Sequence, residues 1–314
     1  TLQVGKLVAF MEYLFHAMFS VMLFCMVFML YPRASISAKR IMAVLNTETS
    51  IENHSGNAQT DSGSGEHSVI FEHVDFVYPD GEEAVLKDIS FSAKSGETVA
   101  FIGSTGSGKS SLIQLIPRFY DRASGNIYID GQKIEDLDIN ALRSKIGFVP
   151  QKAHLFSGTI EENIRFGKPD ATMDEIIHAA KIAQAYDFIM EKPHQFQEQI
   201  VEGATNVSGG QKQRLSIARA LIRKPEIYIY DDSFSALDFK TDARLRKALK
   251  PEIKNAIVFL VAQRVSTILD ADKIVVLDEG KIAGIGTHRE LLASCPIYYE
   301  IAASQLSKEE LTYA

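Results

Sequence analysis

The chain has 314 residues, 46% of them hydrophobic, and a formal net charge of −7. That length allows one large domain or two smaller ones around a sizeable core, and the acidic balance argues against a nucleic-acid binder, which normally carries a basic surface. Cys25 and Cys295 lie far apart and give no disulfide framework, which fits a reducing, cytosolic face for most of the chain.

The chain opens on Thr1 rather than Met, so an earlier segment is expected ahead of it. Residues 7–30 are almost all apolar, broken only by Glu12, His16 and a few small or hydroxyl side chains. A run of about 20 such residues crosses a bilayer as a helix, because a helix satisfies its own backbone hydrogen bonds in lipid. Signal peptides have a shorter apolar core and a small-residue cleavage site, which is not seen here. The alternative is a buried helix of a soluble protein. Arg33, Lys39 and Arg40 follow the run and place its C-terminal end inside, feeding a cytoplasmic domain, although Lys6 weakens the asymmetry. Glu12 and His16, four apart, share one helix face. They either line a polar pathway or sit near the outer end and reach water.

Residues 46–68 turn to Ser, Gly, Asn, Thr and acidic side chains and read as a flexible linker. Residues 69–306 read as one domain and 307–314 as a C-terminal tail. Within the domain, 69–77, 89–93, 98–102, 227–230, 256–261 and 273–277 are strand-like, while 110–116, 173–190 and 210–222 are helical. That alternation predicts an α/β fold with a mostly parallel sheet. No internal repeat is evident.

Gly103-Ser104-Thr105-Gly106-Ser107-Gly108-Lys109-Ser110 matches the phosphate-binding pattern G-x-x-x-x-G-K-[ST], between a predicted strand and a predicted helix. The glycines let backbone N–H groups turn toward phosphate oxygens, and the helix N-terminus adds partial positive charge. Lys109 is expected at the β- and γ-phosphates and the Ser110 hydroxyl on Mg²⁺. Ser111, next in the helix, is counted with the nucleotide-binding residues. The apolar run Ile227-Tyr228-Ile229-Tyr230 ends in Asp231-Asp232. A buried strand ending in Asp suits a Mg²⁺ site beside the phosphates, with Asp231 holding the ion and Asp232 polarising the attacking water. Ser208-Gly209-Gly210-Gln211 opens another helix and forms a second anion-binding end about a hundred residues away. Two such ends in one chain make sense if two cassettes meet head to tail, each completing the other's nucleotide site.

These residues resemble the ABC ATPase family over 69–306, nearly all of the part outside the apolar run. Val207-Ser208-Gly209-Gly210-Gln211 is similar to the family's signature motif, with Val where Leu is usual. Phe148-Val149-Pro150-Gln151 is similar to its Q-loop, which implies that Gln151 touches Mg²⁺ or water and senses the membrane domain. Ser235-Ala236-Leu237-Asp238 resembles the D-loop, with Asp238 facing the partner cassette. Tyr78 stands where the family places an aromatic that stacks on adenine, and 261–267 resembles the switch loop. Residues 156–167 and the join 33–40 are similar to the exporter branch, so the first helix resembles the last of a six-helix membrane domain. The resemblance implies an ABC cassette with a mostly parallel core sheet, an antiparallel β part and a helical subdomain, preceded by one transmembrane helix. It further implies ATP and Mg²⁺ as ligands, a second half-transporter as partner, and a multi-pass protein of a bacterial-type plasma membrane with the cassette in the cytoplasm.

Two departures fall at one nucleotide site. Asp232 stands where the family usually has Glu, and Gln263 where it has His. Asp232 is one methylene shorter, and a misplacement of about 1 Å costs on the order of a hundredfold in rate. Gln263 still donates a hydrogen bond but cannot carry the positive charge available to His. A softer departure is Val201-Glu202-Gly203-Ala204, ahead of the signature, where Gly-Glu-Arg-Gly is usual. This asymmetry resembles heterodimeric exporters in which one site binds ATP tightly but hydrolyses it slowly. The alternatives are a weakly hydrolysing homodimer, a non-transport ABC ATPase, and a phosphate-loop module of another family.

Overall fold

The computed structural model describes residues 3–47, 49, 51, 53, 67–306 and 311. The chain divides into two units, residues 1–52 and 53–314. The first is a single helix, α1 (Val4–Leu45), of 42 residues with none buried. Apolar side chains such as Leu7, Phe10, Phe15, Phe24 and Phe28 are spread around it rather than along one stripe. A helix apolar on all sides belongs in lipid or in a large core, and this one is long and apolar enough to cross a membrane. It continues well past the apolar run, through Pro32. Proline removes one backbone bond of a helix, which good helix formers downstream, here Ala38, Lys39, Arg40, Met42 and Ala43, offset.

The second unit opens with β1 (Ser68–Phe76), β2 (Leu86–Lys94), β3 (Thr98–Gly103) and α2 (Lys109–Leu115). β4 (Ser124–Ile129) and β5 (Gln132–Lys133) form a hairpin whose turn, Asp130-Gly131, has positive φ at both residues, 51° and 76°. Next come α3 (Ile139–Ser144) and β6 (Ile146–Val149). A largely helical segment follows, with β7 (Gly158–Thr159), α4 (Ile160–Arg165), α5 (Met173–Ile182), α6 (Tyr186–Met190), β8 (Gln199–Ile200) and α7 (Gly209–Leu221). The chain then returns to the sheet through β9 (Ile227–Asp231), α8 (Phe239–Glu252), β10 (Ile257–Val261), β11 (Lys273–Asp278) and β12 (Lys281–Gly286). It ends on α9 (His288–Ser294) and α10 (Pro296–Gln305).

The central sheet has six strands in the order β12-β11-β3-β10-β9-β6. All neighbours run parallel except β11 and β12. A second, antiparallel sheet runs β2-β1-β4-β5. Alternate side chains of the central strands enter two separate cores, as the two-residue period of a strand requires. Val99, Phe101, Ile227, Ile229, Ile257 and Phe259 join the antiparallel sheet and α2. Ala100, Ile102, Tyr228, Tyr230, Val258 and Leu260 join α4 to α10. Burial on both faces explains why these strands read as unbroken apolar runs.

The helix expected over 173–190 is two helices. After α5, Gln184 takes a left-handed φ of 56°, Gln184 N–H donates to Lys181 O at 3.1 Å and Ala185 N–H to Ala180 O at 2.7 Å. That is a Schellman end, usually built on glycine. Here the Arg214 guanidinium, 2.7 Å from Gln184 O, holds the turn from α7. Most of the expected linker lies outside the described residues. Asn53 is described, and its side chain donates to Asp138 Oδ2 at 2.9 Å and accepts from Ile139 N–H at 3.0 Å, at the start of α3. Of the expected tail only Leu311 is described, and it packs on the larger core.

Candidate nucleotide-binding site

β3 ends on Gly103, whose φ is 155° and whose place allows no Cβ, because one would run into the Leu277 carbonyl oxygen. Gly108, at φ 98°, precedes α2, and a Cβ there would lie 2.6 Å from Leu86 Cδ2. Both ends of the phosphate loop therefore demand glycine, one for its conformation and close approach, the other against β2. Within the loop, Lys109 Nζ turns back and donates to Gly103 O at 2.9 Å, Ser104 O at 2.7 Å and Ser107 Oγ at 3.2 Å. Burial pushes the Lys109 ammonium pKa down, against the pull of the Asp232 and Asp231 charges.

β9 delivers two buried carboxylates to the same place. Asp231 Oδ1 accepts from Ser110 Oγ at 2.9 Å. Burial raises the Asp231 pKa, the Ser110 bond lowers it, and the neighbouring Asp232 charge raises it further. Asp232 sits at φ 45°, with its N–H on Val261 O of β10 at 3.0 Å. Its Oδ2 accepts from Gln263 Nε2 at 2.7 Å and from Gln151 Nε2 at 3.2 Å. Burial raises the Asp232 pKa, opposed by hydrogen bonds from Gln151 and Ser235 and by the charges of Arg264 and Lys109. Ser233, fully buried and not singled out in the sequence, donates to Val149 O at 2.8 Å and ties the end of β9 to β6 just ahead of Gln151.

The loop from Gly103 to Ser111, with Gln151, Asp231, Asp232 and Gln263, lines one open cavity of about 720 Å³. Ser107 is instead buried behind it. The cavity lies at the C-terminal edge of parallel strands, where open α/β sheets place their ligands. A hydroxyl and carboxylates gathered at one point are the hard oxygen donors that Mg²⁺ takes, and the loop with its lysine suits a chain of phosphates. The residues therefore fit a magnesium nucleotide.

Other expected residues lie apart from this cavity. Tyr78 does not line it; the hydroxyl is 2.8 Å from Ser111 Oγ, and the ring meets Phe76 and Tyr120 edge-on at 4.7 and 5.1 Å. Ser208 caps α7 in a reciprocal pair with Gln211: Ser208 Oγ accepts from Gln211 N–H at 3.3 Å and Gln211 Oε1 from Ser208 N–H at 3.0 Å. Around Gly209 a Cβ would meet nothing within 4 Å, so the helix tip is open to an approaching group. At Gly210 a Cβ would be closer to the chain, 3.3 Å from Ala236 O. Asp238 caps α8, accepting from Thr241 N–H at 2.9 Å, and its pKa is held down by hydrogen bonds from the Thr241 side chain and backbone. One copy of the chain thus gathers the phosphate loop, both aspartates and both glutamines, and leaves Ser208–Gln211 outside the cavity.

Residues 86–235 match a family model described as ABC transporter. The ATP-binding domain belongs to the ABC transporter family. An uncharacterised ABC transporter ATP-binding protein of Bacillus subtilis (strain 168) is 44% identical over 307 residues, which is 98% of this chain and 52% of that protein. A putative multidrug export ATP-binding/permease protein of Staphylococcus aureus (strain NCTC 8325 / PS 47) is 48% identical over 237 residues, 76% of this chain and 41% of that protein. Among solved structures, a bacterial Atm1-family ABC exporter with ATP bound superposes with a TM-score of 0.83 at 34% identity, over 90% of this chain and 49% of that one. The chain spans about half the length of the curated relatives it matches. The cassette has the α/β architecture expected of the family, with its parallel sheet, antiparallel sheet and helical segment.

Proposed function

We propose that this chain is the ATP-binding part of an ABC exporter half, and that its own site binds ATP and hydrolyses it slowly. One observation carries the reading: the cavity that gathers Lys109, Ser110 and Asp231 also holds Asp232 and Gln263 in place of glutamate and histidine. In this reading Lys109 leaves the carbonyls of its own loop for the β- and γ-phosphates, a short swing because its contacts are all within that loop. Ser110 and Asp231 hold Mg²⁺. The ion, when bound, would supply positive charge to offset that of the phosphates. Loop backbone from Gly103 to Gly108, the first turn of α2 with Ser111, and Tyr78 hold the rest of the nucleotide.

Asp232 is the base that orients the attacking water, with Gln151 and Gln263 around it. Both amides donate to the same Asp232 oxygen. They stabilise its charged form and oppose the rise that burial gives its pKa. Its short side chain also withdraws it from the water, so binding persists while turnover falls. Ser208, Gly209, Gly210 and Gln211 complete the nucleotide site of a second half-transporter, and Asp238 lies at the same junction. A heterodimer with a competent partner site follows, embedded in a membrane through several spans, with the cassette in the cytoplasm. ATP closes the two cassettes and drives the membrane part between inward and outward access.

The test is direct. The purified chain should bind mant-ATP with little turnover, and Asp232→Glu combined with Gln263→His should raise turnover by about tenfold or more. Fast hydrolysis by the unmodified cassette defeats the slow-site reading.

A further inference from the structure

The switch segment is held by a residue from the far end of the chain. The Gln305 side chain, in the last turn of α10, makes two hydrogen bonds to it. Nε2 donates to Gln263 O at 2.9 Å, and Oε1 accepts from Val265 N–H at 2.8 Å. Gln263 and Val265 are two residues apart, so the carboxamide pairs with them as a neighbouring strand would. The segment has just left β10 and enters a short 3₁₀ turn (Val265–Thr267). α10 is a firm support, because Tyr298 and Ala302 are fully buried and the Tyr298 hydroxyl lies 2.7 Å from His288 Nδ1. Ile301, Ser304 and Gln305 of the same helix also line the nucleotide cavity.

We propose that Gln305 is a positioning residue for Gln263, so that α10 sets the contact between Gln263 and Asp232. This rests on the reading of Asp232 and Gln263 as the groups that face the γ-phosphate. The physical link is short: the Gln263 carbonyl and the Val265 N–H, on either side of Arg264, are held, so the backbone leaving Gln263 is fixed while its side chain meets Asp232 2.7 Å away. Groups held to within about half an ångström by a rigid element act with full effect, and loosening them by about 1 Å costs up to about a hundredfold in rate. Lys109 and Ser110 make no contact with this bridge, so hydrolysis depends on it more than ATP affinity does, although Gln305 itself borders the cavity.

Gln305 is exposed, so Gln305→Leu leaves the core intact. In the full-length chain reconstituted in lipid, we expect Gln305→Leu to speed amide hydrogen exchange over residues 262–268 about tenfold. We expect the melting temperature to stay as in the unmodified chain, single-turnover hydrolysis, with protein in excess, to fall about tenfold, and mant-ATP affinity, because Gln305 borders the cavity, to change by less than that. In a Gln263→Ala background the same substitution should cause no further fall, because residues acting as one unit are not additive. An unchanged exchange rate, a fall that adds in full to that of Gln263→Ala, or an equal loss of ATP affinity overturns the proposal. If the unmodified chain fails to bind mant-ATP, the nucleotide-site reading fails instead, and exchange alone decides whether Gln305 holds the segment.

Discussion

The chemistry of this site turns on a few side chains whose surroundings set their charge. Asp231, Asp232 and Lys109 are all pushed toward their neutral forms by burial. The glycines frame this site through shape. Gly103→Ala places a methyl group against the Leu277 carbonyl at a φ of 155°, and overpacking of this kind costs about 1–3 kcal/mol. We expect Gly103→Ala to lower the melting temperature and to abolish mant-ATP binding, since the loop must shift to make room; tight binding by that variant would show that the loop has slack. Gly106, by contrast, has open space around it.

At the scale of elements, helix ends are set by local hydrogen bonds, and one of them makes a pH prediction. Thr172 and Glu175 cap α5 reciprocally, and Lys168 Nζ lies 2.6 Å from Glu175 Oε1. The Lys168 hydrogen bond, with the Thr172 backbone N–H, holds the Glu175 pKa down at about 2, from an ordinary 4.5. A carboxyl whose folded pKa is depressed contributes stability that is complete above its unfolded value and is lost as pH falls through its folded value. The melting temperature of the chain should therefore exceed that of Glu175→Gln by a constant margin above about pH 4.5, with the margin closing as pH falls toward about 2. Because Glu175 and Lys168 are both partly exposed to solvent, the margin is small and shrinks in high salt. A margin independent of pH would mean that the cap, and not the charge, does the work. The end of α5 makes the complementary point: the left-handed turn at Gln184 is held by Arg214, thirty residues on in α7, which donates to the Gln184 carbonyl.

For the whole molecule, the two units differ in what covers them. The cassette buries two cores of its own, whereas the 42-residue α1 buries none of its side chains. Exposed apolar surface on that scale needs lipid or partner helices. The full-length protein should sediment with membranes and resist extraction by high salt or alkali, yielding only to detergent. Release by alkali would return α1 to the class of peripheral or soluble helices. In the proposed reading the open tip of α7 meets a partner, since Ser208 and Gly209 do not line the nucleotide cavity of their own copy. With ATP present, crosslinking from Ser208→Cys should capture a second cassette, and the identity of the captured chain separates a heterodimer from a homodimer.

The apolar helix, the phosphate loop, the paired aspartates and the parallel sheet were all legible in the sequence, because each rests on local spacing: a long apolar run, glycines at fixed intervals, short apolar strands ending in Asp. The Asp130-Gly131 hairpin was equally local, and its turn signal stood in the chain unread. Other features came only with the tertiary structure. No spacing announces that Gln184 ends a helix, since Arg214 decides it from another element. No motif links Gln305 to Gln263 across forty-two positions, nor puts two glutamine amides on one oxygen of Asp232. Local geometry is written in neighbouring residues, while the partners of a buried or strained polar group are chosen by which elements the packed sheet brings within hydrogen-bonding distance.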